Sequence, residues 1–334
     1  MMSHLLWGLL TLAAATNRVE TVLQRWAEQT GIRPIAAVAE AIDPEFQKLL
    51  EADQDTIDQI QRWLQEAQKA ANSTNALRSI TLPGRIEERI NQMKEKYEDF
   101  IRRHPKHVQA RLAYGSFLEE VGEPEAALQQ WEQAKKLAPN DPVVWNNLGT
   151  FYGHHGPIKK ALECFEKARK LNPQEPLYAR NLGALISVYR RDAREYYKLP
   201  DDIAVLAKAV SLYEEALRHA TNHFLWATEV AEIYYFLPPH SKDPRVRKME
   251  QDAWKAWQRA WRLAPDELTR QGVDVHLARW AIRLGRFQEA QKILSRITHP
   301  QLQPLRQILE RRLQEETERS SSHRSEKASA SSHP

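Results

Sequence analysis

A chain of 334 residues with 11 glycines, one cysteine and 48 basic against 44 acidic side chains is poorly supplied for several kinds of protein. So little glycine cannot build many phosphate-cradling loops or tight hairpins, and the lone Cys164 excludes an internal disulfide and a multi-cysteine zinc site. The net charge of +4 is what solvated helix faces give and argues against a nucleic-acid partner, while Ala, Leu, Glu, Gln, Lys and Arg, the strong helix formers, fill the stretches between prolines.

In chain order, residues 5–15 come first, an uncharged run ending in Ala13-Ala14-Ala15. It resembles an export leader cleaved after Ala15, which places the protein in the periplasm or outside the cell. Met1-Met2-Ser3-His4 offers no Lys or Arg ahead of the run, and the other reading is an apolar first helix of a cytoplasmic protein. Either way it is too short for a transmembrane span, which needs about 20 residues. Residues 16–83 form an N-terminal helical segment, in which Phe46, Leu49, Leu50, Ile57, Ile60, Leu64 and Ala67 mark an amphipathic helix. Asn72-Ser73-Thr74-Asn75 and Pro83-Gly84 break it. Over 84–107, Ile86, Ile90, Met93, Tyr97, Phe100 and Ile101 recur at spacings of three and four, as an N-terminal capping helix requires.

From residue 108 the chain repeats. Gly115, Gly149 and Gly183 stand 34 residues apart, and Gly122 to Gly156, Ala127 to Ala161, Trp131 to Phe165, Ala134 to Ala168 and Pro139 to Pro173 show the same interval. The run Trp145, Leu148, Gly149, Tyr152, Ala161, Phe165, Ala168, Pro173 resembles the tetratricopeptide repeat (TPR) family across one full repeat. The resemblance implies an all-α, TPR-type helical solenoid of antiparallel helix pairs with capping helices. Within each pair the glycine of helix A and the alanine of helix B allow close approach. Trp131, Phe165 and Tyr213 are expected to fill the space between repeats, and proline ends helix B.

The array covers 108–299 in about five repeats, two of them stretched. Ala161 to Ala209 is 48 residues rather than 34, and Ala231 to Ala253 is 22 where Gly149 to Ala161 is 12. These intervals predict insertions at 189–202 and 237–248 in the turns between A and B helices. Leu277, Ala278, Gly285, Ala290 and Leu294 mark a fifth unit; 300–318 reads as a C-terminal capping helix and the Ser-rich 319–334 as a disordered tail.

No nucleotide-binding, hydrolase or metalloprotease motif is present, so the sequence names no catalytic residue, metal ligand or cofactor. His154-His155 reads as a pair of solvated turn residues, and Trp254, Trp257 and Trp261 as a core stripe. The TPR resemblance implies a non-catalytic scaffold for a protein or peptide partner, whose groove is lined by the A helices. By register that lining holds Leu112, Ser116, Glu119, Asn146, Asn147, Thr150, Arg180, Asn181, Ala184, Thr228, Glu229, Glu232, Val275, His276 and Arg279. Asn146, Asn147, Arg180 and Asn181 could hold a peptide backbone or a carboxylate, or be plain helix surface. The clamp of chaperone-binding TPR domains is absent: Asn147 matches its middle element, but Leu112, Ser116 and Leu177 occupy the other places.

The insertions offer a second surface. Tyr189, Arg190, Arg191, Arg194, Tyr196 and Tyr197 lie in the first, and Arg245 and Arg247 with His240, Lys242 and Lys248 in the second. Aromatics interleaved with arginines could grip an anionic ligand, or the tyrosines could simply pack the lengthened helix. The alternative function is an accessory or enzymatic protein acting on an anionic or carbohydrate ligand, with Asp43, Glu45, Glu51, Asp53, Asp55 and Asp58 as the acids at hand.

Overall fold

The computed structural model describes residues 43–71 and 82–330. The leader assigned to 1–15, residues 16–42 and the breaker at 72–75 lie outside the described residues. The chain divides into two compact units, residues 1–172 and 173–334. Among the described residues there is no strand, and no helix is long and apolar enough to cross a membrane.

Among the described residues the first unit holds three helix pairs: α1 (Pro44–Ala71) with α2 (Leu82–Arg103), α3 (Val108–Glu120) with α4 (Pro124–Leu137), and α5 (Pro142–His155) with α6 (Ile158–Leu171). Local chemistry sets these bounds. Pro142 occupies the first turn of α5, where its missing N–H costs nothing, and the Asp141 carboxylate accepts from Val143 N at 2.9 Å. His107 Nδ1 accepts from Ala110 N at 3.0 Å and caps α3 in the same way. Gly122 and Gly156 make the A-to-B turns at φ 85° and 74°, a region side chains avoid.

The small residues do what the spacing predicts, with one change of partner. A Cβ on Gly115 would lie 2.3 Å from the Trp131 ring, and one on Gly149 would lie 2.7 Å from Phe165. Each large side chain therefore sits in the notch of the glycine in its own repeat, and Trp131 also reaches the next one. Trp131 meets the Phe151 ring edge-on at 6.0 Å and donates to Leu112 O at 3.2 Å.

The segment ahead of residue 108 is a full helix pair rather than a lone capping helix. Phe46 of α1 packs on Phe100 of α2 at 5.8 Å and on His107 at 4.7 Å, while Tyr97 stacks on Tyr114 of α3 at 4.9 Å. The acids of α1 are spent in this packing. Tyr97 Oη donates to Asp53 at 2.5 Å, Glu45 pairs with Arg103 and His104, and Asp58 accepts from Gln54. They do not converge on a reaction centre.

The second unit holds α7 (Pro176–Val188), the short α8 (Arg190–Tyr197), α9 (Asp202–His219), α10 (Phe224–Ile233) with a 3-10 turn at Tyr234–Phe236, α11 (Pro244–Leu263), α12 (Glu267–Arg283), α13 (Phe287–Arg296) and α14 (Gln303–Ala330). Neither insertion is simply a loop. The first folds into α8, and the second ends by adding turns to the start of α11, which runs 20 residues. A Cβ on Gly183 would meet the Tyr213 ring at 2.9 Å, so repeat three keeps the notch of the first unit.

At the C-terminus, Leu309 and Leu313 are buried as a capping helix requires. The helix does not stop at 318. It continues to Ala330, where the sequence suggested a disordered tail from 319. Glu, Gln and Arg between 310 and 319 are strong helix formers, and Arg306–Glu310 and Gln314–Glu318 pair one turn apart, so the preceding turns propagate into the serine-rich stretch.

Candidate functional site

In the first unit, the predicted lining residues of α3 and α5 are more enclosed than a solvated surface would be. Leu112 is fully buried and belongs to the core, which removes it from any groove. Ser116 Oγ donates to Leu112 O at 3.2 Å and Thr150 Oγ1 to Asn146 O at 3.1 Å, so both hydroxyls are taken up by their own helices. Asn146 and Asn147 are buried, at 1% and 3% exposure. The Asn147 carboxamide has neither its oxygen nor its nitrogen hydrogen-bonded, and both atoms are closed off from solvent.

His154 and His155 are exposed, as solvated residues should be, but lie in a helix rather than a turn. They end α5, His155 Nε2 lies 2.8 Å from Glu119 Oε1, and the His155 ring packs on Phe151. No group of three or more His, Cys, Asp or Glu among the described residues is placed to hold a metal ion. Cys164 is buried, and burial pushes its thiol up to about 12, so it carries no nucleophilic thiolate near neutrality.

In the second unit, the predicted groove residues fall into two clusters. Arg180 on α7 grips Glu229 on α10 with both sides of its guanidinium, Nε to Oε2 at 2.8 Å and the second N–H group to Oε1, while a third N–H group donates to Asn181 Oδ1 at 3.1 Å. The bidentate capacity that suggested a carboxylate ligand is already used by a carboxylate of the same chain. Glu229 lies 49 residues away, so spacing within one helix could not disclose the pair.

The second cluster is aromatic. His276 stacks on Trp257 with centroids 4.0 Å apart and planes 9° from parallel, and Tyr235 Oη lies 2.9 Å from His276 Nδ1. Tyr235 also packs against Trp280 at 5.5 Å and carries the Arg279 guanidinium 5.7 Å from its ring centre. Burial, with Arg279 adding to it, lowers the His276 pKa to about 4, so the ring is neutral at pH 7. Val275, also placed in the lining by register, is buried. Tyr235 and Trp280 escaped the sequence reading because repeat four departs from the 34-residue register. Trp254 and Trp257 are core as expected, and Trp261 lies under the guanidinia of Arg270 and Arg296.

The insertions meet each other, but most of their charge is neutralised locally. Arg245 donates to Asp201 Oδ2 at 2.8 Å and to Asp243 Oδ2 at 2.7 Å; Arg194 and Arg190 lie 3.5 and 3.8 Å from Asp202. Across 189–202, Arg190, Arg191, Arg194 and Lys198 are matched by Asp192, Glu195, Asp201 and Asp202. The basic edge is therefore weaker than its arginines alone suggest. Its tyrosines pack as the structural alternative has it: Tyr196 meets Tyr197 edge-on at 4.8 Å, and Lys208 covers the Tyr197 ring at 4.0 Å. Tyr189 is half-buried at the junction of α7 and α8. Arg190 covers Phe236 at 4.4 Å, while Arg191 and Arg247 are exposed.

Paired helices with glycine notches filled by aromatics define a helix-hairpin repeat protein. The family profile described as "TmcB, TPR repeats" matches residues 39–142, and the one described as "Tetratricopeptide repeat" matches 143–175. Residues 39–175 thus carry tetratricopeptide repeats, which supports a protein-interaction scaffold in the general sense. The first match begins at residue 39, ahead of the 108 at which the 34-residue spacing sets in.

No curated protein sequence matches the chain. Among solved structures, PilF of Pseudomonas aeruginosa is 17% identical with a TM-score of 0.47, covering 77% of this chain and 93% of its own. YrrB, a TPR protein with an unusual peptide-binding site, is 15% identical with a TM-score of 0.47, covering 65% and 99%. PilW, a type IV pilus biogenesis factor, is 16% identical with a TM-score of 0.46, covering 70% and 93%. Likenesses this distant carry nothing about function.

Proposed function

We propose that the chain is a non-catalytic scaffold that takes an extended peptide segment of a protein partner along the inner faces of α3 and α5. The observation that carries this reading is Asn147. A buried carboxamide with both atoms unbonded costs about 1–3 kcal/mol, and a peptide backbone, offering one donor and one acceptor, meets that need in a single contact. Neighbouring side chains have to part for the peptide to reach it, since Asn147 is 3% exposed.

The test is capture of partners from the native host by the immobilised chain, followed by affinity measurement with the recovered partner. Asn147→Ala is expected to weaken binding about five- to hundredfold with the helical circular dichroism unchanged. Unchanged affinity in that variant sinks the reading. Export rests on the apolar run at 5–15, and N-terminal sequencing of protein from the host checks whether the mature chain starts after Ala15.

A further inference from the structure

A cavity of about 310 Å³ opens between α1 and α2, lined by Gln59, Trp63, Arg85, Glu88, Arg89 and Gln92. The spacing explains why they meet. Gln59 and Trp63 are one turn apart on α1, and residues 85, 88, 89 and 92 follow one face of α2.

Arg85 and Arg89 lack the cross-helix carboxylate that several other arginines reach. Arg103 pairs with Glu45, Arg180 with Glu229, Arg259 with Glu214 and Arg283 with Glu250, each reaching a carboxylate on another helix. Neither Arg85 nor Arg89 is ion-paired to a described residue. Glu88, the acid of the lining, accepts from Gln92 at 3.3 Å. Two like charges one turn apart repel, and Arg89 Nε is closed off from solvent without an acceptor. Meanwhile the Arg85 guanidinium carbon lies 4.4 Å from the centre of the Trp63 ring. Stacking holds a guanidinium flat and leaves its in-plane N–H fork free, which suits an oxyanion.

We propose that this cavity is an oxyanion site, in which Arg85 and Arg89 together hold a carboxylate or a phosphate group. Gln59 and Gln92 supply amide donors at its rim. None of these residues lies on α3 or α5, so the site stands apart from the peptide surface proposed for Asn147.

The experiment titrates the full chain at low ionic strength with inorganic phosphate and, separately, with the blocked dipeptide acetyl-Glu-Glu-amide. Calorimetry and the melting temperature are read against chloride at matched ionic strength. Saturable binding of either probe, weakened at least about tenfold by Arg85→Gln with Arg89→Gln, is expected. Which probe binds tighter identifies the source of the oxyanion. Arg89→Lys keeps the charge and loses the fork, and is expected to fall between the two. No saturable heat with either probe, or equal binding by the double variant at unchanged helicity, overturns the proposal.

Discussion

Repeats one and two, in the first unit, and repeats three and four, in the second, solve the same packing problem by different means. In the regular pair the A-to-B turn is made by Gly122 or Gly156 at positive φ, and the aromatic of helix B fills the notch over Gly115 or Gly149. In the stretched pair the turns have been replaced by inserted chain, and the left-handed positions fall to Lys198 and His240 at φ 53° and 56°. Repeat four has Ala231 where a notch glycine would stand, and its large residue, Trp257, is held by stacking on His276 of the following A helix. Charge joins in as well: Arg180–Glu229, Arg245–Asp201 and Arg259–Glu214 tie elements of the second unit together. Uninterrupted repeats rest on the glycine notches, with links such as His155–Glu119 beside them, whereas in the interrupted ones ion pairs and stacked rings stand beside the notch or, in repeat four, in its place.

The largest break in that comparison is expected from Trp257→Ala. It removes a fully buried indole and the ring face supporting His276, for a loss of about 3–5 kcal/mol in a denaturant titration. Next comes pH. His276 has a folded-state pKa near 4 against an ordinary 6.5, so as pH falls the unfolded chain takes the proton first. Its contribution is full above pH 6.5 and lost towards pH 4, about 3 kcal/mol on the order of the shift. His276→Gln removes that part of the pH dependence, read as the difference between the two melting curves from pH 7 to 4.

A smaller effect belongs to the shape-based repeats. Gly149→Val drives a branched side chain into the Phe165 ring and is expected to cost about 1–3 kcal/mol. The mildest change separates the two kinds of turn. Lys198→Gly relieves a left-handed lysine and is expected to gain up to about 1 kcal/mol, while Gly156→Ala loses a comparable amount. Equal and opposite shifts in melting temperature would sharpen the contrast. A loss in both variants would mean that the inserted turn is not strained at Lys198.

Much of the fold was legible because it rests on contacts at fixed separation. The glycine, alanine and aromatic positions recur every 34 residues, and the paired helices follow from them. What escaped depends on contacts at irregular separation. Arg180 was visible as a groove residue, but its engagement with Glu229 joins separate helices. Asp201 and Asp202 lay just past the basic run and are what neutralise it. Asn147 was read by register as groove lining, yet its enclosure depends on the sizes of side chains on neighbouring helices, which register does not encode. The cavity arginines carried a faint signal, two basic residues four apart with a tryptophan upstream, that the same pattern on any solvated helix would mask.

The enclosure of Cys164 has a practical consequence. With its sulfur packed in the core and held protonated at neutral pH, the native thiol stays inert towards maleimides and methanethiosulfonates. A cysteine introduced at an exposed position of α2 or α11 then becomes the single labelled atom of the chain. Fluorophores and spin probes can be attached beside the arginine cavity or the lengthened helix without first stripping the protein of its own sulfur.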